Sequence, residues 1–310
     1  MSTREPDPQR EEDVSPVPLK ATVSPLHARP PAEPASSSTP AELFDLSGRI
    51  ALVTGGTRGL GRAMLLGFAH AGADVIVSSR KQDACERVAE EVSALGRKCK
   101  GYACHVARWS EIDALVERVY DDFGRVDILV NNAGISPLYA DTASVSEELW
   151  DKVLGVNLKG PFRLSALVGT RMAAGSGGSI INVSSIGAVR PNRDTIPYCA
   201  AKAGLNALTA GFADAFGPKV RVNTLMCGPF YTDISRGWDH HAFDEQRKTF
   251  PLRRGGQPNE VVGAALYLAS DASSFTTGAT LVVDGGAQWS LPLGGDALEK
   301  SIFRGPSSGV

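Results

Sequence analysis

Cysteine is scarce, with five in 310 residues. Cys85, Cys99, Cys104, Cys199 and Cys227 are odd in number and form no CxxC pair and no Cys/His ligand spacing. That excludes a disulfide framework and a structural zinc site as organising principles, so reduced thiols in a cytoplasmic protein without a metal centre are expected. Long apolar runs are also missing, and none would cross a bilayer. The opening MSTREPDPQREEDV is acidic and has no apolar stretch, so neither a secretory signal nor an import peptide is expected. An excess of charge is lacking too. The chain has 32 Lys and Arg against 34 Asp and Glu, a net −2, with the basic residues scattered. Such a balance exerts no bulk attraction on nucleic acid.

What is present is a chain 43% hydrophobic, long enough to bury a sizeable core. Nine of the nineteen prolines fall in the first forty residues, beside SSSTP and mixed charges. Residues 1–43 therefore read as a disordered proline-rich tail, because such a stretch buries too little apolar surface to offset its ordering entropy. PVPLK and ARPPAEP within it also have the composition of proline-rich ligands. Residues 44–290 read as one domain, and residues 291–310 as a C-terminal tail.

From Leu43 the pattern alternates. RIALVTG, DVIVSSR, KCKGYACHV, RVDILVNNAG, GSIINVSS, KVRVNTLM and ATLVVDGG read as strands. GLGRAMLLGFAHAGA, QDACERVAEEVSALG and SEIDALVERVYDDFG read as helices, with Gly96 as a stop and Ser110 as an N-cap. EELWDKVLGVNLKGPFRLSALVGTRM reads as a helical run, and IPYCAAKAGLNAL opens another helix. Repeated βαβ units with apolar strands predict a doubly wound α/β Rossmann fold, a parallel sheet with helices on both faces.

The first strand runs into TGGTRGLG, with glycines at 55, 56, 59 and 61, and a helix follows at once. Glycine permits a tight turn and close backbone approach, and the helix N-terminus offers free amides to an anion. Between the first strand and first helix of a βαβ series, this turn predicts a bound dinucleotide. At the end of the second strand a carboxylate would bind a ribose hydroxyl, and a cation would bind a 2′-phosphate. Here the strand ends in Ser-Ser-Arg80, and Arg58 adds a second guanidinium, so NADP(H) is favoured over NAD(H). Tyr198 and Lys202 lie one helical turn apart on one face, so the ammonium is expected to lower the phenol pKa and fit it for acid–base work.

These motifs together resemble the short-chain dehydrogenases/reductases over about residues 45–290. TGGTRGLG matches the family's cofactor turn, and NNAG at 131–134 its central-strand motif. Asn157 in GVNLKG, Ser185 in NVSSIGA, Tyr198 and Lys202 match its catalytic set. CGPFYTD at 227–233 matches its PGxxxT loop, and residues 251–286 its C-terminal signature. The resemblance implies an NAD(P)(H)-dependent oxidoreductase that acts on a small-molecule alcohol or carbonyl. It also implies a homo-oligomer, a tetramer or dimer. Tyr198 would exchange a proton with the substrate oxygen, Lys202 would tune it and hold the nicotinamide ribose, Ser185 would polarise the carbonyl, and Asn157 would hold a water. Gly55, Thr57, Arg58, Gly59, Leu60, Gly61, Arg80, His105, Val106, Asn132, Ala133, Gly134, Gly228, Phe230 and Thr232 would join Tyr198 and Lys202 in binding the cofactor. Ser184 would pack under the sheet, and Asn131 would steady the strands.

Several positions depart from the family pattern. His105 stands where an acid is usual, and a neutral ring there could accept from the adenine amine. Cys227 replaces a proline, and Cys199 follows Tyr198; both read as small core residues. TDISRGWDHHAFDEQRKTFPLRR is the least family-like stretch and reads as a mobile lid, with Phe230, Trp238, His240, His241 and Phe243 as candidates to line it. Arg190 and Arg193 would bind an anionic group or stay solvated. Two branches fit comparably, the gluconate and sugar dehydrogenases and the 3-oxoacyl-carrier-protein reductases, although Asp214 speaks against an acidic carrier. A catalytically silent nucleotide-binding scaffold is a further alternative, and a partner-docking role of the proline-rich tail another. Against the scaffold stand the intact Tyr198 and Lys202.

Overall fold

Seven apolar runs form seven parallel strands. They are β1 (Ile50–Thr54), β2 (Asp74–Ser79), β3 (Cys99–Ala103), β4 (Ile128–Asn131), β5 (Gly178–Ser185), β6 (Val220–Cys227) and β7 (Thr280–Val283). The computed structural model describes residues 38–290 except 234 and 236–238. The expectations for residues 1–37, for Trp238 and for the 291–310 tail lie outside the described residues. A short helix, α1 (Pro40–Leu43), occupies the end of the stretch read as tail, closed by a capping box between Thr39 and Glu42.

The sheet order is β3-β2-β1-β4-β5-β6-β7. The chain steps outward from β1 to β3, then crosses back to β4 and steps outward the other way. Ala51 of β1 is in register with Val75 on one side and Ile128 on the other. The connections leaving β1 and β4 therefore diverge and open a crevice at their carboxyl ends, where ligands bind in doubly wound sheets. From Thr39 onward the described residues cluster as one compact unit.

Strand alternation builds two cores. Ala51, Val53, Val75, Val77, Ile128 and Val130 face one side and pack with Met64 and Phe68 of α2 (Gly59–His70) and Leu268 of α9 (Val262–Ala269). Leu52, Ile76 and Leu129 face the other side, with Leu115 of α4 (Trp109–Phe123) and Leu164 of α6 (Gly160–Ala174). Both faces are apolar because helices cover both. α3 (Gln82–Ser93) joins the first side, and Gly96 follows it with φ +76°. α4 begins at Trp109 with Arg108 at its cap position, so Ser110 is not the N-cap expected.

The run expected as one helix is interrupted. α5 (Glu147–Leu154) passes into a π-helical turn, Gly155–Lys159, before α6. The reason is close backbone approach. A Cβ on Gly160 would overlap the Val106 carbonyl, and one on Gly155 would come 3.1 Å from Ala107 Cβ. The bulge places Asn157 fully inside the protein. Such turns recur at functional positions. Of the lid segment, α8 (His240–Arg247) is described. Phe243 is buried there against Phe250 and Ala287 rather than facing the crevice.

Candidate active site

The glycine turn is held from beneath. Thr54 Oγ1 donates to Val130 O (3.2 Å) and accepts from the amides of Asn132 (3.0 Å) and Ala133 (3.1 Å). Asn132 Nδ2 donates to Thr54 O (2.8 Å) and Gly55 O (3.3 Å). The side chain of Asn132 thus braces the turn. Gly55 and Gly59 have φ +64° and +53°, the left-handed region. A Cβ on Gly61 would overlap both Gly55 O and Asn132 Nδ2. At the start of α2, Arg58 occupies the cap position and makes no side-chain cap hydrogen bond, which leaves the first amides to the crevice. Arg58 is ion-paired with Asp233 at 3.4 Å. Thr57 Oγ1 bonds Ser79 Oγ (3.2 Å) at the end of β2, and Arg80 follows, exposed.

Ser185 ends β5, and Tyr198 lies in the first turn of α7 (Ile196–Phe216). The two side chains meet at Gly187, where an added Cβ would come 3.5 Å from Ser185 Oγ and 3.9 Å from the Tyr198 ring edge, and Ser185 Oγ accepts the Gly187 amide (3.1 Å). Lys202, one turn along α7, is buried; its Nζ donates to Val183 O (2.8 Å) and lies 5.7 Å from the centre of the Tyr198 ring. Ser184 faces the other way and donates to Lys202 O (3.3 Å), so it ties strand to helix. Asn157 Nδ2 donates to Ile135 O and Val153 O, both 2.9 Å, while Oδ1 accepts the Ile135 amide (3.2 Å). A Cβ on Gly134 would come 2.9 Å from Asn157 Oδ1 and 3.8 Å from Lys202 Nζ. Asn157, Gly134 and Lys202 therefore meet at one point.

The electrostatics correct one expectation. Burial pushes the Tyr198 phenol up to about 12, and the Ser185 hydroxyl nearby offsets this only in part. Burial lowers the Lys202 ammonium to about 8, so it is charged at neutral pH but already neutral where the phenol itself would titrate. Desolvation acts on both charged forms and outweighs their mutual attraction. The Cys227 thiol, buried beside them, is likewise raised to about 12, which marks it as inert. All five cysteines are free.

One cavity of about 1260 Å³ joins these parts. A drug-sized ligand needs roughly 300–1,000 Å³, so there is room for a dinucleotide and a small second molecule. Every residue expected to contact the cofactor lines it, from Arg80, His105 and Val106 past the glycine turn to Gly228, Phe230 and Thr232. Ser185, Tyr198 and Lys202 also line it, whereas Asn157 stands behind the wall. His105 is among the lining residues, and its Nδ1 accepts the Ala107 amide (3.3 Å). Arg190 is engaged by Gln288 O (2.5 Å) and Ser290 O (2.9 Å).

Sequence reasoning missed Thr54, Ile135 and Tyr139. Tyr139 Oη donates to Arg193 O (2.6 Å) and accepts the Ile196 amide (2.9 Å), the first of α7. A threonine closing an apolar strand was the one local signal for Thr54. Ile135 acts through its backbone and Tyr139 through a distant loop, so neither is marked by residue type. Among the described residues no cluster of His, Cys, Asp and Glu suits a metal, and no helix is long and apolar enough to cross a membrane.

A parallel sheet with a glycine-rich crevice, a Ser–Tyr–Lys group at one end and exposed cations at the other defines a nucleotide-dependent oxidoreductase. A family model described as enoyl-(acyl carrier protein) reductase matches residues 55–288. The chain belongs to the short-chain dehydrogenase/reductase family. It is 39% identical over 252 residues to a 2-dehydro-3-deoxy-D-gluconate 5-dehydrogenase of Pseudoalteromonas atlantica, covering 79% of this chain and 98% of that protein. It is 37% identical over 242 residues to a 3-oxoacyl-[acyl-carrier-protein] reductase of Thermotoga maritima, covering 78% and 98%. A solved gluconate 5-dehydrogenase from Burkholderia cenocepacia, in complex with NADP and tartrate, superposes with a TM-score of 0.77 at 34% identity, covering 81% and 99%. The chain is thus an NAD(P)-dependent oxidoreductase acting on alcohol and carbonyl groups of small molecules.

Proposed function

We propose that residues 44–290 interconvert a secondary alcohol and its carbonyl with NADP(H), and that Tyr198 moves the proton. The observation that carries this reading is one continuous cavity lined by Ser185, Tyr198 and Lys202 at one end and Arg80 at the other. The open amides of α2 would take the pyrophosphate, and Lys202 the nicotinamide ribose. Arg80 would meet the 2′-phosphate, with Arg58 near the glycine turn. No carboxylate stands between Ser78 and Lys81 to favour a free ribose hydroxyl. When bound, the nicotinamide supplies or accepts the hydride.

The chain's own groups handle the oxygen. In reduction, Tyr198 Oη donates its proton to the carbonyl oxygen while Ser185 Oγ orients and polarises that oxygen. The ammonium of Lys202 stabilises the phenolate left behind. Asn157 fixes the wall through Ile135. In oxidation the proton returns from the alcohol to Tyr198 Oη.

The substrate end sets Ile186, Phe250 and Ala287 beside Asn192, His241 and Thr249, which suits a small hydroxylated carbonyl. An acidic carrier protein fits less well, because Asp194 and Glu245 offset the basic groups at the cavity wall and Arg190 already binds two carbonyls. Self-association into a dimer or tetramer is supported by Trp109 and Phe162, half-exposed at the end of an aromatic row that continues through Phe212 to Phe216. A cytoplasmic location completes the reading, supported by five cysteines with no disulfide.

The test is a fluorescence titration of NADPH and NADH with the wild type and Arg80→Asp, followed by a carbonyl screen with Tyr198→Phe as control. Tight NADPH binding that Arg80→Asp abolishes, and turnover that Tyr198→Phe lowers at least about a hundredfold, are expected. Equal or tighter NADH binding by the wild type removes the cofactor choice. Full turnover in Tyr198→Phe removes the proton assignment.

A further inference from the structure

The loop after β3 is wired so that His105 can only donate into the cavity. Cys104 N bonds Ser79 O (2.8 Å) and extends the sheet. His105 N donates to Glu111 Oε2 (2.7 Å), Arg108 N closes on His105 O (2.8 Å), and Ala107 N reaches His105 Nδ1 (3.3 Å). A backbone amide has a proton and no lone pair to offer, so Nδ1 must be the acceptor. In a neutral imidazole the proton then sits on Nε2, on the far side of the ring. Among the described residues Nε2 has no partner, and His105 lines the cavity.

Its place in the sheet says what it meets. Arg80 ends β2, where the adenosine ribose of a dinucleotide binds, and β3 is the next strand outward. The base attached to that ribose would extend toward the neighbouring strand ends, where His105 and Val106 line the cavity. The carboxylates lining the cavity are Asp194, Asp233 and Glu245, from the segments after β5 and β6. Glu111, the nearest acid in the chain, is spent on the His105 amide and the Arg108 guanidinium (2.7 Å), which hold its carboxyl below the usual range. The base edge therefore faces a hydrogen-bond donor and no side-chain carboxylate.

We propose that His105 makes the base subsite read a purine acceptor rather than the 6-amino group, so that a hypoxanthine dinucleotide is bound about as well as the adenine one. The proposal rests on the dinucleotide reading above. Adenine presents a donor at position 6, which finds no bond with Nε2–H and leaves that proton only a neighbouring ring nitrogen; hypoxanthine presents an oxygen there, which accepts it. An aspartate at 105 would reverse this preference, accepting from the amine and repelling the oxygen.

The experiment is a fluorescence titration of the full chain with NADPH and with reduced nicotinamide hypoxanthine dinucleotide phosphate, for wild type, His105→Asp and His105→Phe. One hydrogen bond changes Kd from a few-fold to about tenfold. The wild type is expected to favour adenine by less than about fivefold, and His105→Asp by more. His105→Phe, which keeps a flat ring without the donor, weakens the hypoxanthine form more than the adenine one, so the proposal stays testable if the aspartate variant does not fold. A wild-type preference for adenine above about fivefold, or a ratio unmoved by both variants, overturns the proposal while leaving the cofactor reading intact. Failure of both dinucleotides to bind overturns the cofactor reading and the proposal with it.

Discussion

Asn157 and Ile135 grip each other by both ends of one amide: Nδ2 donates to Ile135 O at 2.9 Å and Oδ1 accepts Ile135 N at 3.2 Å. A side chain thus imitates a strand edge, and a third bond to Val153 O uses the remaining amide proton. The loop leaving β4 is held here against the π turn.

Removing this grip should unfold before it inactivates. Asn157→Ala strands buried amide and carbonyl groups, an expected loss of about 1–3 kcal/mol, or several degrees in Tm. Asn157→Asp should be worse, because its carboxylate would face two carbonyl oxygens. Thermal melts check the order; an aspartate variant as stable as wild type would sink this account.

The proton group has a pH signature. Lys202 holds its charge below about 8 and loses it above. Tyr198, pushed up to about 12, stays a phenol across that window. Carbonyl reduction should therefore decline as pH rises through about 8, and Lys202→Met should be slow with no such decline. A flat wild-type profile there would remove the lysine from the step.

Lys202 also has a stability signature. Its folded pKa is depressed, so the unfolded chain binds more protons between about 8 and 10.5. Its contribution to stability is full above the unfolded value and is lost as pH falls through about 8. At neutral pH the buried ammonium is a burden. Lys202→Met is expected to raise Tm while lowering turnover; a lower Tm would show that the bond to Val183 O outweighs desolvation.

Tyr139 caps the helix that carries Tyr198. The N-cap residue Thr195 makes no side-chain cap bond, and the Ile196 amide instead finds Tyr139 Oη (2.9 Å). Tyr139→Phe should lower kcat several-fold and leave the dinucleotide Kd unchanged, since Tyr139 lies away from the glycine turn. A changed Kd with normal kcat would contradict the assignment.

Gly61→Ala should abolish dinucleotide binding, because its Cβ overlaps Gly55 O and Asn132 Nδ2. Gly96→Ala is the control. Its φ is +76°, but no atom lies within 4 Å, so only conformational strain of about 1 kcal/mol is expected. Equal binding by both variants would mean that the turn tolerates a side chain.

Much of this was legible in the chain. Apolar runs of strand length, broken by helical periods, specified the parallel sheet, because residues alternate on a strand and both faces are covered. TGGTRGLG between a strand and a helix specified the crevice. The four-residue step from Tyr198 to Lys202 specified their shared face. These are local rules, set within a turn or a strand.

What remained depended on distant partners. Gly155 and Gly160 permit the π turn only because the Val106–Ala107 backbone presses on them. Tyr198 was expected to be acidified and is the reverse, because burial by the surrounding chain outweighs the neighbouring charge. His105 was expected to offer a lone pair to the crevice, and the Ala107 amide already occupies the one on its Nδ1. Which residues carry polar groups, and in what order they reach the crevice, follows from residue type and spacing along the chain. Which of them are desolvated, and which lone pairs are already taken, emerges on packing, since both depend on atoms far away in the chain.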